Sequence, residues 1–266
     1  MSGPERDTAR TGDVRRVDWD VLSASELRGR ARSDAIAIVP VGSTEQHGPH
    51  LPVQVDSLLC SEIARRGATL LEDGATVVLP PMWTGLAEHH MSFGGTITLD
   101  LPTFSALLRC ILDSLIRQGF RRIFVLNGHG GNRAALNAVV AEFTIAHRLP
   151  IAVANYWDLV GPRFASILET QATVQHACEA ETSMMLALRP DLVDMDRLAG
   201  TPAGERSAPE MPPGVYRWRS YESRTKLGII GDPHMATAEK GRLLIDAAAA
   251  GLAAALSNRA LWDTPT

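Results

Sequence analysis

The chain has 266 residues, of which 45% are hydrophobic and 21% charged, and its formal net charge is -4. This composition excludes wholesale disorder, and the slightly acidic balance offers no electrostatic basis for binding nucleic acid. Three cysteines (Cys60, Cys110 and Cys178) are too few and too widely spaced for a disulfide scaffold or a CxxC zinc site. The sequence shows no signal peptide and no apolar run long enough to span a membrane, so it predicts a cytoplasmic protein without a membrane partner.

The hydrophobic pattern predicts strands alternating with helices. Residues 1–16 are polar and aperiodic, which predicts a flexible N-terminal tail, and residues 17–266 are predicted to form a single domain. Apolar runs rich in Val and Ile predict buried strands at 35–41, 75–79, 122–126 and 150–154. Helical patterns occur at 17–32, 56–66, 102–118, 133–147, 179–188 and 236–257. Ser23 or Ser25 is expected to cap the first helix.

This alternation is typical of an α/β fold, with a parallel or mixed central sheet covered by helices on both faces. In such sheets ligands bind at the carboxyl ends of the strands. Polar, His-bearing or aromatic sequence follows each predicted strand, and the Gly/Pro-rich stretch 198–233 is expected to loop over the same edge. We therefore expect one site there.

The eight histidines are unevenly placed. Four lie in short stretches that carry Gly, Pro or Asn (His47, His50, His129 and His234), and His176 opens the polar segment HACEAETS. Two more form the doublet His89–His90, and only His147 lies in an ordinary helical pattern. Histidines at turns, away from apolar faces, indicate metal ligands or acid/base groups.

The loop after the first strand offers Glu45, His47 and Asp56. In an extended segment Glu45 and His47 point to the same side, and the two oxygens of Asp56 suit a bridge between two metals. Such a mixed set favours Zn²⁺, Mn²⁺ or Fe²⁺ over Ca²⁺. The alternative is that Glu45 is a surface charge and Asp56 a helix cap.

The loop after the third strand reads NGHGGN over residues 127–132. Its glycines allow close backbone approach to a ligand, and His129 is expected to project from the strand end. A plain turn is the alternative. A phosphate-binding loop is less consistent with the sequence, because the Lys-Ser/Thr ending is missing.

A third segment, HACEAETS over 176–183, places a histidine and two acids at the start of a helix. Glu179 and Glu181 are two positions apart, so at most one is expected to face the site. His176 is a candidate acid/base group and Glu181 a candidate metal ligand, although acids at a helix N-terminus also complement its dipole. Cys178 is a nucleophile candidate without a recognisable partner.

Taken together and in chain order, these motifs resemble the creatininase (creatinine amidohydrolase) family. The motifs are VPVGSTEQHGPHLP, Asp56, FGGT, VLNGHGGN, HACEAETS and IGDPHMATAEKG. The resemblance implies a three-layer α/β/α sandwich and a two-metal site that hydrolyses amide bonds. By motif position it implies that Glu45, His47, Asp56 and His129 bind metal, that Glu181 completes the second metal site, and that His176 lies near the substrate.

The chain departs from creatininase proper in the third loop, which there reads Asn-Gly-His-Tyr-Glu-Asn. Gly130 stands in the tyrosine position and Gly131 in the position of the glutamate ligand. These changes remove bulk and one carboxylate, which argues against creatinine as the substrate. Relatives with NGHGGN include formamide deformylases and the peptidase of mycofactocin maturation.

The resulting hypothesis is a metal-dependent amidohydrolase that cleaves a C–N bond of a small cyclic or linear amide through a metal-activated hydroxide. Two divalent ions (Zn, Mn or Fe) serve as cofactors, with Glu181 and His176 as the catalytic residues and His176 protonating the leaving nitrogen. Substrate contacts are expected from His90, Trp157 and Gly130. The alternatives are a peptidase of the mycofactocin type and a non-catalytic metal-binding subunit. The resemblance also suggests a homo-oligomer such as a hexamer.

Overall fold

The computed structural model describes residues 16–202, 211–212 and 214–263. Its centre is a parallel sheet of four strands in the order β2-β1-β3-β4. The strands are β1 (Ile36–Val41), β2 (Thr76–Val78), β3 (Arg122–Asn127) and β4 (Ile151–Asn155). Each lies within one residue of its predicted bounds, and of the two predicted arrangements the parallel one is correct.

Seven α-helices occur in the described part of the chain. They are α1 (Ala24–Arg32), α2 (Val55–Thr69), α3 (Leu101–Arg117), α4 (Arg133–His147), α5 (Glu179–Leu188), α6 (Met195–Ala199) and α7 (Ala238–Ser257). The predicted bounds of α4 and α5 are correct. The first helix was predicted to begin at residue 17, but it begins at Ala24, because Trp19–Val21 form a separate 3-10 turn. The short helix α6 was not predicted.

Two hydrophobic cores, one on each face of the sheet, make the molecule a three-layer α/β/α sandwich. Side chains alternate along each strand, so Ile38 and Leu126 pack into the core that contains α2, α5 and α7. Val39 and Val125 point the other way, into the core formed with α1, α3 and α4. The predicted fold class is therefore confirmed.

All four strands are parallel, so the loops that follow them lie at one edge of the sheet. The described part of the stretch 198–233 reaches this edge, since Tyr221 donates a backbone hydrogen bond to the His89 carbonyl. The tail predicted at 1–16 lies outside the described residues except for Arg16. No helix within the described ranges is long and apolar enough to cross a membrane.

The two cap candidates of α1 are distinguished by their contacts. Ser23 accepts a hydrogen bond from the Glu26 backbone, and the Glu26 carboxylate accepts one from the Ser23 backbone, which completes a capping box.

We expect Ser23→Ala to lower the free energy of unfolding by about 1 kcal/mol. Ser25→Ala, the control, should have a smaller effect. Denaturant unfolding of both variants checks this, and equal losses would contradict it.

Candidate metal centre and active-site cavity

Five side chains predicted as metal ligands lie together at the carboxyl edge of the sheet. Glu45 and His47 come from the loop after β1, Asp56 from the first turn of α2, His129 from the loop after β3, and Glu181 from the first turn of α5. All five are buried. Four separate segments of the chain thus meet at one point, as the alternation of strands and helices predicted.

Asp56 lies between the two histidines of this cluster. Its Oδ1 is 3.1 Å from His47 Nε2, and its Oδ2 is 3.0 Å from His129 Nδ1. Glu45 Oε2 is 2.9 Å from the same His129 nitrogen. Glu181 lies further out, with its Oε2 3.9 Å from His47 Nε2. Asp56 therefore faces each histidine with a different oxygen.

Backbone carbonyls determine which nitrogen of each ring faces the carboxylates. His47 Nδ1 donates to the Glu45 carbonyl, at 3.1 Å, and His129 Nε2 donates to the Leu86 carbonyl, at 3.2 Å. A carbonyl oxygen can only accept, so the opposite nitrogen of each ring is directed toward the acids. This is the pattern of metal-ligating histidines, which donate their other N–H to a neighbouring carbonyl or carboxylate.

The donor set fits a divalent cation. Glu45, His47 and Asp56 each offer one ligand atom, and these atoms lie within 4.8 Å of one another. Glu45 Oε2 and His47 Nε2 are buried without a well-aligned hydrogen bond. Buried polar atoms without a partner are unfavourable, and a cation between them would provide one. Imidazole and carboxylate together suit Zn, Mn or Fe.

The electrostatics of the cluster favour positive charge. Burial disfavours a charged His47, yet Asp56 and Glu181 outweigh it and raise the pKa of His47 to about 9. Burial also disfavours a charged His129, but Glu45 and Asp56 hold its pKa well above the ordinary value. Burial disfavours ionised Glu45 as well, and His129 and His90 nevertheless hold its pKa well below the usual range. A cation bound here would meet the same attraction.

The structure separates the two acids of the HACEAETS segment. Glu181 accepts a hydrogen bond from the Ala177 backbone at 2.6 Å, and burial raises its pKa to about 8 even though the nearby His47 lowers it. Glu179 points away from the cluster and pairs with Lys240 Nζ at 2.6 Å, also accepting from Thr170. Only one of the two acids faces the site, as their spacing predicted.

This separation predicts opposite outcomes for two matched variants. Glu181→Gln should weaken metal binding roughly 10- to 100-fold, because a ligand candidate loses its charge. Glu179→Gln should leave metal binding intact but lower the thermal midpoint, because the ion pair with Lys240 is broken. Metal titration and thermal unfolding of both proteins check this. Equal metal affinities of the two variants would contradict it.

Hydrogen bonds to Gln46 orient His176 and His90 beside the cluster. His176 Nε2 donates to the Gln46 backbone carbonyl, at 2.8 Å, so its Nδ1 faces Glu45 Oε1 at 3.6 Å. The Gln46 amide nitrogen lies 2.9 Å from His90 Nδ1, and the amide oxygen accepts from the Gly48 backbone. His90 therefore accepts from Gln46 and directs its Nε2 toward Glu45 Oε1, 3.1 Å away.

A cavity of about 1450 Å³ opens onto this cluster. Its lining includes all three predicted substrate contacts, His90, Trp157 and Gly130. His90 is fully buried, and Trp157 packs edge-on against Tyr156. His234 was a further candidate from its sequence context, but it pairs with Asp232 at 2.8 Å and does not line this cavity.

Two residues at the site escaped sequence reasoning. Gln46 lies between two predicted ligands, so its position is a signal, but its local sequence does not indicate that its side-chain amide donates to His90 and its backbone carbonyl accepts from His176. Tyr221 is buried, with its ring centroid 3.9 Å from that of His90 and 4.7 Å from that of His176. Nothing in its local sequence indicates this role, since only the folding of its segment brings it there.

Cys178 is poorly suited to act as a nucleophile. It is fully buried, and burial together with the nearby Glu181 raises the pKa of its thiol to about 12. The thiolate is the reactive form of cysteine, so a thiol of this kind is inert at neutral pH.

Fold and site define a three-layer α/β protein with a buried carboxylate–histidine cluster at the carboxyl edge of its sheet. Residues 20–256 match the Creatininase family, described as creatinine amidohydrolase. The creatinine amidohydrolase of Pseudomonas putida is 30% identical over 88% of this chain and 94% of its own. The mycofactocin precursor peptide peptidase of Mycolicibacterium smegmatis is 35% identical over 77% of this chain and 78% of its own. A solved structure described as creatininase with Mn superposes with a TM-score of 0.77 at 28% identity, covering 90% of this chain and 96% of the other.

The chain belongs to the creatininase family, whose members are hydrolases. The resemblance derived from the sequence motifs is thereby confirmed. Manganese in a related structure agrees with the candidate ligand clusters present here.

Proposed function

We propose that this protein is a metal-dependent amidohydrolase that cleaves a C–N bond of a small cyclic or linear amide. The observation that carries the proposal is the position of Asp56, whose two oxygens face His47 and His129 separately. Residues 17–266 would act as a single catalytic domain. By family analogy the assembly would be a homo-oligomer such as a hexamer, working in the cytoplasm.

The proposed ligands fall into two groups that share Asp56. Glu45 and His129 lie on one side, and His47 and Glu181 lie on the other. Two divalent cations held there would polarise the amide carbonyl and make water a stronger nucleophile at neutral pH. His90 would keep Glu45 in orientation, and the Gln46 backbone carbonyl would do the same for His176.

His176 is the proposed proton carrier. Its Nε2 hydrogen is bound to the Gln46 carbonyl, so Nδ1 is the nitrogen available to the cavity. Burial, together with His47 and His90, holds its pKa well below the ordinary value, which favours the neutral ring. A neutral Nδ1 can take a proton from the attacking water and then deliver it to the departing nitrogen. This extends the prediction from sequence, in which His176 was only the final acid.

A peptidase acting on a short peptide is the second candidate. The cavity volume of about 1450 Å³ exceeds the roughly 300–1,000 Å³ typical of small-molecule pockets, so a short extended chain would fit. The similarity to a mycofactocin precursor peptide peptidase agrees with this reading. The two candidates share the same metal centre and differ only in what the cavity binds.

The test is a substrate screen with metal-reconstituted protein. Lactams, hydantoins, formamides and short peptides are incubated with enzyme of measured metal content, and products are identified by mass spectrometry. Ring opening of the lactams or hydantoins, or release of amine and formate from the formamides, supports the first proposal, and cleavage of peptides alone supports the second. Metal-loaded protein that cleaves none of these compounds would support a non-catalytic metal-binding subunit instead.

His176→Gln separates catalysis from metal binding. We expect turnover to fall by roughly 10²- to 10⁴-fold, the usual contribution of a positioned acid/base group. Metal content should stay at the wild-type value. The control is His147→Gln at the end of α4, which should change neither quantity. Loss of metal from His176→Gln would instead make His176 a ligand.

A further inference from the structure

Arg224 is a cation at the cavity that no described acid neutralises. It lines the cavity and is half-buried. Its guanidinium carbon lies 4.7 Å from the centroid of the Tyr221 ring. Within residues 16–202, 211–212 and 214–263, no carboxylate forms an ion pair with it. A partly desolvated charge without a counter-ion is unfavourable, so Arg224 is a candidate for binding an anionic group of a ligand.

Tyr221 places this cation close to the proposed reaction centre. One side of the tyrosine ring contacts Arg224, while its centroid is also 4.7 Å from the ring centroid of His176. Arg224 also lies close enough to His89 that its charge helps to lower the pKa of that imidazole, after the larger effects of burial and the neighbouring His90 and His129. The guanidinium and the proposed proton carrier therefore both contact the same aromatic ring.

The segment that carries Arg224 is attached to the centre at both ends. At its start, the Tyr221 backbone donates to the His89 carbonyl at 2.8 Å. At its end, Gln46 Nε2 donates to the Gly228 carbonyl at 3.2 Å, and Ile230 exchanges backbone hydrogen bonds with His176. The backbone that carries Arg224 is thus held in place before a ligand arrives, which reduces the entropy lost on binding.

The chemistry of the side chain indicates what it would bind. A guanidinium is planar and presents its N–H donors in a rigid fork that matches the two oxygens of a carboxylate. The Tyr221 ring lies against one face of the guanidinium. The N–H groups point outward in the plane of the guanidinium, so this contact leaves them able to donate to a ligand. An anionic group of the substrate would supply the missing counter-charge.

We propose that Arg224 binds a carboxylate of the substrate, so that the natural substrates are amides with a carboxylate a few bonds from the scissile C–N bond. This inference rests on the proposed amidohydrolase function, because it assigns the substrate class of the same cavity. For the peptidase candidate, the corresponding group is the C-terminal carboxylate of the peptide.

The test compares charged and neutral probes. Binding of N-acetylglycine and N-acetyl-β-alanine to manganese-loaded protein is measured by calorimetry, next to binding of their uncharged carboxamides. Arg224→Gln should weaken binding of the better carboxylate probe roughly 10- to 100-fold and leave the carboxamides unchanged. Arg28→Gln, an exposed position with the same change of charge, should alter neither. Arg224→Lys, which keeps the charge without the fork, should fall in between.

Binding and turnover together distinguish the two proposals. If carboxylate binding depends on Arg224 but no amide is hydrolysed, the carboxylate site stands and the proposed function fails. If amides are hydrolysed and Arg224→Gln binds the carboxylates as tightly as wild type, the function stands and this inference is overturned. Failure of wild type to bind the carboxylates, or to prefer them over the carboxamides, also overturns it.

Discussion

Asp56→Asn should reduce the bound metal from the proposed two ions per chain to at most one and lower amide hydrolysis at least roughly 100-fold. The carboxylate oxygens lie 3.1 Å from His47 Nε2 and 3.0 Å from His129 Nδ1, so each faces one half of the cluster. Asparagine keeps the shape but replaces one oxygen with an NH₂ group, which cannot bind a cation. Metal analysis by mass spectrometry and turnover of the best amide substrate check the result.

The control for this variant is Asp20→Asn on the exposed 3-10 turn before α1, which removes the same charge far from the cavity. It should retain both metal and activity. An Asp56→Asn protein that still binds two ions with wild-type affinity would mean that Asp56 does not bridge the two halves of the cluster.

Gly131→Ala is the second variant with a large expected effect. A Cβ at this position would lie 2.4 Å from both His129 Nε2 and the Leu86 carbonyl oxygen. These two atoms form the hydrogen bond that directs His129 Nδ1 toward Asp56 and Glu45. The methyl group should therefore rotate the imidazole, weaken metal binding roughly 10- to 100-fold and lower the free energy of unfolding by about 1–3 kcal/mol. Metal titration and denaturant unfolding measure both effects.

The neighbouring Gly130 provides a matched comparison. A Cβ there would meet no atom within 4 Å, so Gly130→Ala should keep the metal affinity and the stability of the wild type. If both alanine variants lost metal to the same degree, the cause would be the backbone of the loop rather than the contact between His129 and Leu86.

The same contact limits what position 131 can carry. A Cβ there would lie 2.4 Å from His129 Nε2, so a side chain at this position would collide with the imidazole. The third loop therefore cannot supply a carboxylate in its present conformation. Besides Glu45 and Asp56, the fold brings Glu181 to the cluster, 3.9 Å from His47.

Much of the fold was predictable because its signals are local. Each strand is a continuous apolar run, as expected for a strand covered on both faces, and helix α4 follows β3 and a short loop with clear periodicity. The start of α1 was not predictable to the residue, because both Ser23 and Ser25 can cap a helix. Ser23 is the residue that caps the helix because Glu26, three positions later, completes a capping box with it.

The sequence by itself determined the family, the layered α/β architecture and the residues that could chelate a metal. Residue type and order carry those signals, and parallel strands bring the loops that follow them to one edge. Only the tertiary structure decided which nitrogen of each histidine faces the acids, that Glu179 pairs with Lys240, and that Tyr221 and Arg224 lie at the cavity. These features depend on atoms that are distant in the chain and meet only when the two faces of the sheet are packed.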